Sequence, residues 1–288
     1  MTRVIADTTC GLPFALTGEL GIPMIPQIIN LGDESYREGI EIDFARFMAW
    51  LCEQLQPPKT AAPYVNDFVD VFTEYAGRGE SLVCIHPSAD VSGTVRSAEV
   101  AKAAFPEADI RVIDTRTIAG PLGMIVLAAD RLAKSGASAG EVELLVREMM
   151  PRARIYFLVD TLEFLRRGGR IGGAAALVGS LLQIKPILTF RDGRVDQFEK
   201  ERTKRRALAR LKEIVVTDAA PGPDAHLTVM HTGGESEQEA AGVAAELQAA
   251  VGADKVMLME LAPAIVTHAG PGALAIGFFT PGSMEGKA

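Results

Sequence analysis

Only three cysteines occur in the 288 residues, Cys10, Cys52 and Cys84. Their odd number, wide spacing and lack of any CxxC exclude a disulfide framework and a cysteine zinc site. They read as buried small thiols in a reducing compartment. Aromatic residues make up 6% of the chain, with a single Trp, which leaves no stacking platform for single-stranded nucleic acid. The four histidines, His86, His226, His231 and His268, are far apart and lack paired carboxylates, so no metal site is expected. Long apolar runs are missing too. The uncharged stretch Ile118–Ala129 is too short to span a bilayer and is broken by Gly120-Pro121, and Met1–Asp7 has no apolar signal core. A cytoplasmic protein is expected. No GxxxxGK[ST] sequence is present to hold ATP. Gly270–Ala275 matches GxGxxA in form, but only 13 residues follow Ala275, too few for a dinucleotide-binding βαβ unit. No cofactor is expected.

What is present is the composition of a folded globular chain, 48% hydrophobic and 23% charged, long enough for one large domain or two ordinary ones. The net charge of −8 is unevenly spread. Residues 152–212 carry 15 Lys or Arg against 6 Asp or Glu, a local +9; the remaining 14 basic and 31 acidic residues sum to −17. A solvated helix face around Lys204-Arg205-Arg206 accounts for part of this, and a docking surface for an anionic partner or for phosphates is the other reading.

The first half alternates short apolar runs with amphipathic stretches. Strands are predicted over Val4–Ala6, Met24–Asn30, Leu82–Ile85 and Arg111–Ile113, and helices over Asp43–Gln54, Tyr64–Tyr75, Ser92–Phe105 and Leu122–Ala133. This alternation implies an α/β fold, a parallel sheet with flanking helices. Ligands of such sheets bind at the carboxyl ends of the strands, where Asp7-Thr8-Thr9, Ser92-Gly93-Thr94 and Asp114-Thr115 fall. A boundary near Met150-Pro151 separates domains 1–151 and 152–288. In the second, strands are predicted over Ile155–Val159, Ile184–Phe190, Leu227–His231 and Lys255–Met259, with Val195–Phe198 as a hairpin partner across Asp192-Gly193. Helices are predicted around Thr161–Arg167 and Ala174–Leu182 and over Thr203–Val216 and Glu235–Val251. This second α/β layer has mixed pairing.

Ser92-Gly93-Thr94 opens a helix, where free N–H groups and the helix dipole favour an anion; a plain N-cap at Ser92 is the structural alternative. Thr60 sits in the proline-stiffened stretch Pro57–Pro63 and reads as either a cap or a ligand. Asp7 could accept protons from such hydroxyls or cap the helix that follows. His268, framed by Gly270-Pro271-Gly272, reads as a side chain presented by an unusual turn. In Arg166–Gly173, three arginines and four glycines combine forked donors with close backbone approach.

The order of these segments carries a resemblance. Asp7-Thr8-Thr9, Lys59–Pro63, Ser92-Gly93-Thr94, Asp114-Thr115, Asp160–Leu165, Arg167–Ile171, Ile184–Leu188 and His268–Ala273 resemble the successive signatures of the DegV family from residue 4 to about 279. The resemblance implies a two-domain fold with a long-chain fatty acid between the domains, acting as the lipid-binding subunit of a bacterial fatty acid kinase in phospholipid metabolism. It implies that Thr60, Ser92, the Gly93 N–H and His268 hold the carboxylate, supported by Asp7, Thr8 and Thr94. It assigns Arg170 and Arg202 to the phosphate-transfer interface, with ATP and Mg on the kinase and the free carrier monomeric. Two departures stand out: Ala61 replaces the usual Ser, and Asp-Thr-Thr replaces Asp-Ser-Thr. The competing classes are a hydrolase with Ser92 as nucleophile and His268 as base, which lacks a GxSxG elbow and an acid, and a nucleic-acid binder using the basic stretch.

Overall fold

The computed structural model describes residues 1–53, 57–179, 184–222 and 225–282. The first part of the chain forms strands β1 (Thr2–Asp7), β2 (Met24–Ile25), β3 (Ile28–Leu31), β4 (Glu34–Arg37), β5 (Lys59–Ala61), β6 (Ser81–His86) and β7 (Ile110–Asp114). Its helices are α1 (Phe14–Leu20), α2 (Phe44–Glu53), α3 (Val65–Ala76), α4 (Thr94–Lys102), α5 (Ala119–Lys134) and α6 (Ala139–Met149). After the short turn Met150–Arg152 come β8 (Ala153–Leu158), β9 (Lys185–Arg191), β10 (Arg194–Glu201), β11 (Leu227–His231), β12 (Val256–Glu260) and β13 (Leu274–Phe279). The accompanying helices are α7 (Glu163–Arg167), α8 (Lys204–Asp218), α9 (Glu235–Val251) and α10 (Pro263–Ala269).

β2-β1-β6-β7 is a parallel sheet. Its strands read as continuous apolar runs because both faces are covered. Phe68 and Phe72 of α3 and Ala98 and Ala101 of α4 pack on Ile5, Leu82 and Cys84. Leu122, Ile125 and Val126 of α5 and Val142 and Val146 of α6 pack on Val4, Val83 and Ile85. The second sheet runs β10-β9-β8-β13-β11-β12 and is mixed, with only β11 and β12 parallel among its pairs. Helices α8 and α9 cover one of its faces. The fold is two-domain α/β, and we propose its division at residues 151/152, where the strands of the second sheet begin.

The predicted strand Met24–Asn30 is two strands in two sheets. Pro26 has no N–H with which to continue the ladder beside β1, and the chain turns there into an antiparallel sheet of order β4-β3-β5. The helix predicted over Ala174–Leu182 begins as a 3-10 turn, Gly172–Leu177, and its end lies outside the described residues. Cys10 and Cys84 are buried thiols, as expected, but Cys52 is exposed.

Helix α5 joins the two halves. One side rests on β1, and the other meets β8, β11 and β13 of the second sheet. Two glycines make this double approach possible. A Cβ on Gly120 would stand 2.0 Å from Thr228 Oγ1, and one on Gly123 would stand 2.7 Å from the Cys10 carbonyl oxygen. Helix propensity favours alanine over glycine by about 1 kcal/mol, but overpacking costs about 1–3 kcal/mol. Gly120→Ala is therefore expected to lower stability in spite of the propensity gain. Thermal or denaturant unfolding checks this, and an unchanged or raised midpoint would contradict the close seam.

Candidate functional site

The carboxyl end of β1 leads into a 3-10 turn, Thr8–Cys10, capped by Asp7. Asp7 is fully buried, and its carboxylate receives four hydrogen bonds. Oδ1 accepts from Thr9 N (3.0 Å), Thr9 Oγ1 (2.5 Å) and Gln27 Nε2 (3.0 Å), and Oδ2 pairs with His86 Nδ1 at 2.8 Å. Both roles considered for Asp7 are thus filled at once. Gln27 Nε2 also donates to Thr94 Oγ1 at 2.8 Å, which lies 2.7 Å from Ser92 Oγ. The N-cap of α4 is Gly93, not Ser92, although Ser92 Oγ still accepts from Thr94 N at 3.3 Å. The Gly93 N–H has no partner among the described residues.

Two further elements bring side chains to the same place. Thr60 lies in strand β5, held by pairing with Ile29, not in the loop expected from its prolines. His268 is in the last turn of α10; the glycine-rich turn follows it. Glu38 Oε1 fixes the start of that helix by accepting from Ala264 N at 2.7 Å, while its Oε2 accepts from the Thr8 hydroxyl. Burial pushes the Glu38 carboxyl up to about 7 against those two hydrogen bonds. Thr60 Oγ1 and His268 Nε2 are 2.8 Å apart, and His268 Nδ1 is buried without a partner among the described residues. Gly168 must be glycine for this ring to fit, since a Cβ there would stand 2.0 Å from Nδ1. Arg170 crosses from the second domain, donating from Nε to Val91 O (3.0 Å) and from Nη1 to Gly168 O (2.7 Å).

These groups border one cavity between the domains. Its polar lining is Thr9, Gln27, Thr60, Ser92, Arg170 and His268, with Gly93 among them; its remaining wall is apolar, including Ile118, Ile155, Phe157, Leu165, Phe190, Val195, Leu261 and Ile265. The predicted residues Thr60, Ser92, Gly93, His268 and Arg170 thus meet. Asp7 and Thr94 stand behind them as support. Thr8 turns its hydroxyl to Glu38 and does not line the cavity, and Arg202 is exposed on the surface away from the lining. Gln27 and Glu38 are not among the residues the sequence singles out, and Thr9 enters there only within the strand-end segment Asp7-Thr8-Thr9. Nothing in Pro26-Gln27 or Arg37-Glu38 marks them locally, because their partners lie 19 or more residues away.

Among the described residues no Ser–His–acid series forms. Ser92 is bonded to Thr94 and His268 to Thr60, and among the described residues no carboxylate orients His268. The Asp7–His86 pair is wholly buried and outside the cavity lining. Among the described residues no group of His, Cys, Asp and Glu could hold a metal ion, and no helix is long and apolar enough to cross a membrane.

An α/β scaffold of two domains enclosing an apolar cavity with one polar cluster is the class of protein defined here. The family model described as "Uncharacterised protein, DegV family" matches residues 1–281. The chain is 36% identical over 275 residues to a DegV domain-containing protein of Streptomyces coelicolor, covering 95% of this chain and 96% of that one. It is 34% identical over 274 residues to protein DegV of Bacillus subtilis, covering 95% and 97%. Two solved structures each superpose with a TM-score of 0.88 and cover 97% of this chain and 99% of theirs. They are DegV, a fatty acid binding protein from Bacillus subtilis, at 32% identity, and a fatty-acid-binding DegV family protein from Thermus thermophilus, at 31%. The chain belongs to the DegV family.

Burial, and secondarily the nearby Arg170 charge, lowers the His268 pKa from 6.5 to about 4. The ring is neutral at neutral pH. A group that binds protons less readily folded than unfolded makes stability rise with pH between those values. Its contribution is complete above about pH 6.5 and is lost as pH falls towards 4. The His268 resonances of the ligand-free protein are expected to titrate near pH 4 and to move upward when an anion occupies the cavity; a midpoint at 6.5 would mean an open, solvated ring.

Proposed function

We propose that the chain binds a long-chain fatty acid in this cavity and presents its carboxylate to a partner kinase, which phosphorylates it from ATP to an acyl phosphate. The observation that carries the reading is the union of an apolar inter-domain cavity with one cluster of hydrogen-bond donors. A sixteen-carbon acid buries about fourteen methylenes, worth on the order of 11 kcal/mol before binding costs are subtracted. A carboxylate buried unpaired would cancel much of that gain. Here it can meet the hydroxyls of Thr60 and Ser92, the N–H of Gly93 and the edge of His268, with the Arg170 guanidinium close by. The fatty-acid-binding relatives from Bacillus subtilis and Thermus thermophilus support the ligand class.

In this reading the chain is not an enzyme on its own and is a cytoplasmic monomer when free. The carboxylate is the nucleophile, and the partner supplies ATP and Mg. Phosphoryl transfer demands positioning and charge neutralisation. Arg170 would serve it from within the cavity mouth and Arg202 from the surface.

Organic extraction of the purified protein and mass spectrometry are expected to yield a long-chain fatty acid; a lipid-free protein that takes up none in titration would end the reading. Ser92→Ala is expected to weaken fatty acid binding by about 1.5–3 kcal/mol, the range for a hydrogen bond to a charged group, measured by calorimetry. Arg202→Ala is expected to leave lipid affinity unchanged while lowering acyl-phosphate formation with the kinase. A parallel fall in both would make Arg202 structural.

A further inference from the structure

Among the groups at the cavity, Gln27 has the least obvious purpose. It is 3% exposed, lines the cavity and sits between Asp7 and Thr94. Its bonds have a direction that propagates. The Asp7 carboxylate offers acceptors only, so the Gln27 amide must turn its NH2 towards it, and that same nitrogen then donates to Thr94 Oγ1. Thr94 is fully buried, and apart from the Gln27 NH2 its hydroxyl meets only Ser92 Oγ among the described residues, so the 2.7 Å contact is where its own proton finds an acceptor. Ser92 Oγ also accepts from Thr94 N at 3.3 Å. Both lone pairs of the Ser92 oxygen are thereby occupied, since a hydroxyl has two acceptor sites and one proton. The Ser92 O–H is left to point at the cavity.

We propose that Asp7, Gln27 and Thr94 form a one-way hydrogen-bond relay that makes Ser92 an obligate donor, so that the site selects an acceptor-only headgroup, a carboxylate, over a primary alcohol, whose own hydroxyl proton meets no acceptor on Ser92. Gln27 is a positioning residue that sets specificity through Thr94. The inference rests on the fatty-acid reading above and adds the origin of headgroup selection to it. Gln27→Glu reverses the relay with little change of shape. Beside Asp7, the introduced carboxyl group is protonated; it spends its single proton on Asp7 and can only accept from Thr94. Thr94 then accepts from Ser92, whose proton is withdrawn from the cavity. Thr94→Val removes the relay differently, emptying one lone pair of Ser92 while keeping the side-chain shape.

The test is calorimetric titration of the delipidated full-length protein and both variants with hexadecanoic acid and with hexadecan-1-ol. The wild type is expected to prefer the acid. Gln27→Glu is expected to lose about 10- to 100-fold in affinity for the acid, the range for a hydrogen bond to a charged group, with little loss for the alcohol. Thr94→Val is expected to narrow the acid-to-alcohol ratio as well, and it stands as the test if Gln27→Glu does not fold. Equal losses for both ligands, or an unchanged ratio, would overturn the relay while leaving the carrier reading intact. A wild type that binds neither ligand would overturn the carrier reading itself.

Discussion

A carboxylate can be fully buried only when its charge is answered by donors, and Asp7 is the point at which this protein meets that condition. Four hydrogen bonds reach it from Thr9, Gln27 and His86. Those donors come from the end of β1, from the break between β2 and β3, and from the end of β6. One side chain therefore registers three segments that sequence separates by up to 79 residues. Without it, the turn Thr8–Cys10 would lose its cap and Gln27 its orientation. The cavity hydroxyls of Thr9 and, through Gln27 and Thr94, of Ser92 would lose their common support.

The second constraint is the thinness of the seam between the domains. Helix α5 serves both sheets, so it must approach each of them closely at one point along its length. Gly120 and Gly123 allow this. The largest apolar cluster runs through this seam without interruption, from Val4 and Ile85 through Leu122 and Ile125 to Phe157 and Ala275. Away from the helix, the domains are held at the tip of the β9–β10 hairpin. Arg194 pairs with Asp90 at 2.7 Å, Arg116 donates to the Asp192 carbonyl, and Ser88 Oγ donates to Gly193 O at 2.7 Å. Phe190 and Val195, on either side of that tip, face the cavity. The same hairpin that closes the seam thus walls the ligand space.

The sequence exposed the parts of this design that are local. Apolar runs between amphipathic stretches mark β1, β6, β7 and helices α2 to α5, because period and burial agree there. Asp192-Gly193 marks its hairpin by turn chemistry. Helix α10 and strand β13 escaped notice: seven residues from Pro263 to Ala269 are too few to show a period, and the glycines after His268 suggested a loop. Yet β13 is central in its sheet. Thr60, Ser92, Gly93 and His268 were legible through the ordered resemblance of their segments, not through their own chemistry. Gln27 and Glu38 were not, since each acts only across long range: Glu38 reaches Ala264 over 226 positions. A polar residue whose purpose is to orient another leaves no mark in its neighbours.

The basic stretch changes meaning once its partners are known. Much of the +9 of residues 152–212 is engaged. Arg166 and Arg167 grip Glu163, Arg191 pairs with Asp196, Arg206 with Glu201 and Arg210 with Glu199. Lys204 and Lys212 reach across to Glu239 and Glu246 of α9, and Arg194 reaches Asp90 of the other domain. The charge excess therefore partly offsets acidic residues supplied by distant segments, and exposed pairs of this kind add little stability each. Lys200, Arg202 and Arg205 remain exposed and without an ion pair among the described residues. They lie within six residues of one another, where β10 gives way to α8. Three such cations close together in sequence are far fewer than the whole stretch suggested, and too few for a long polyanion, whose binding requires many neutralised phosphates.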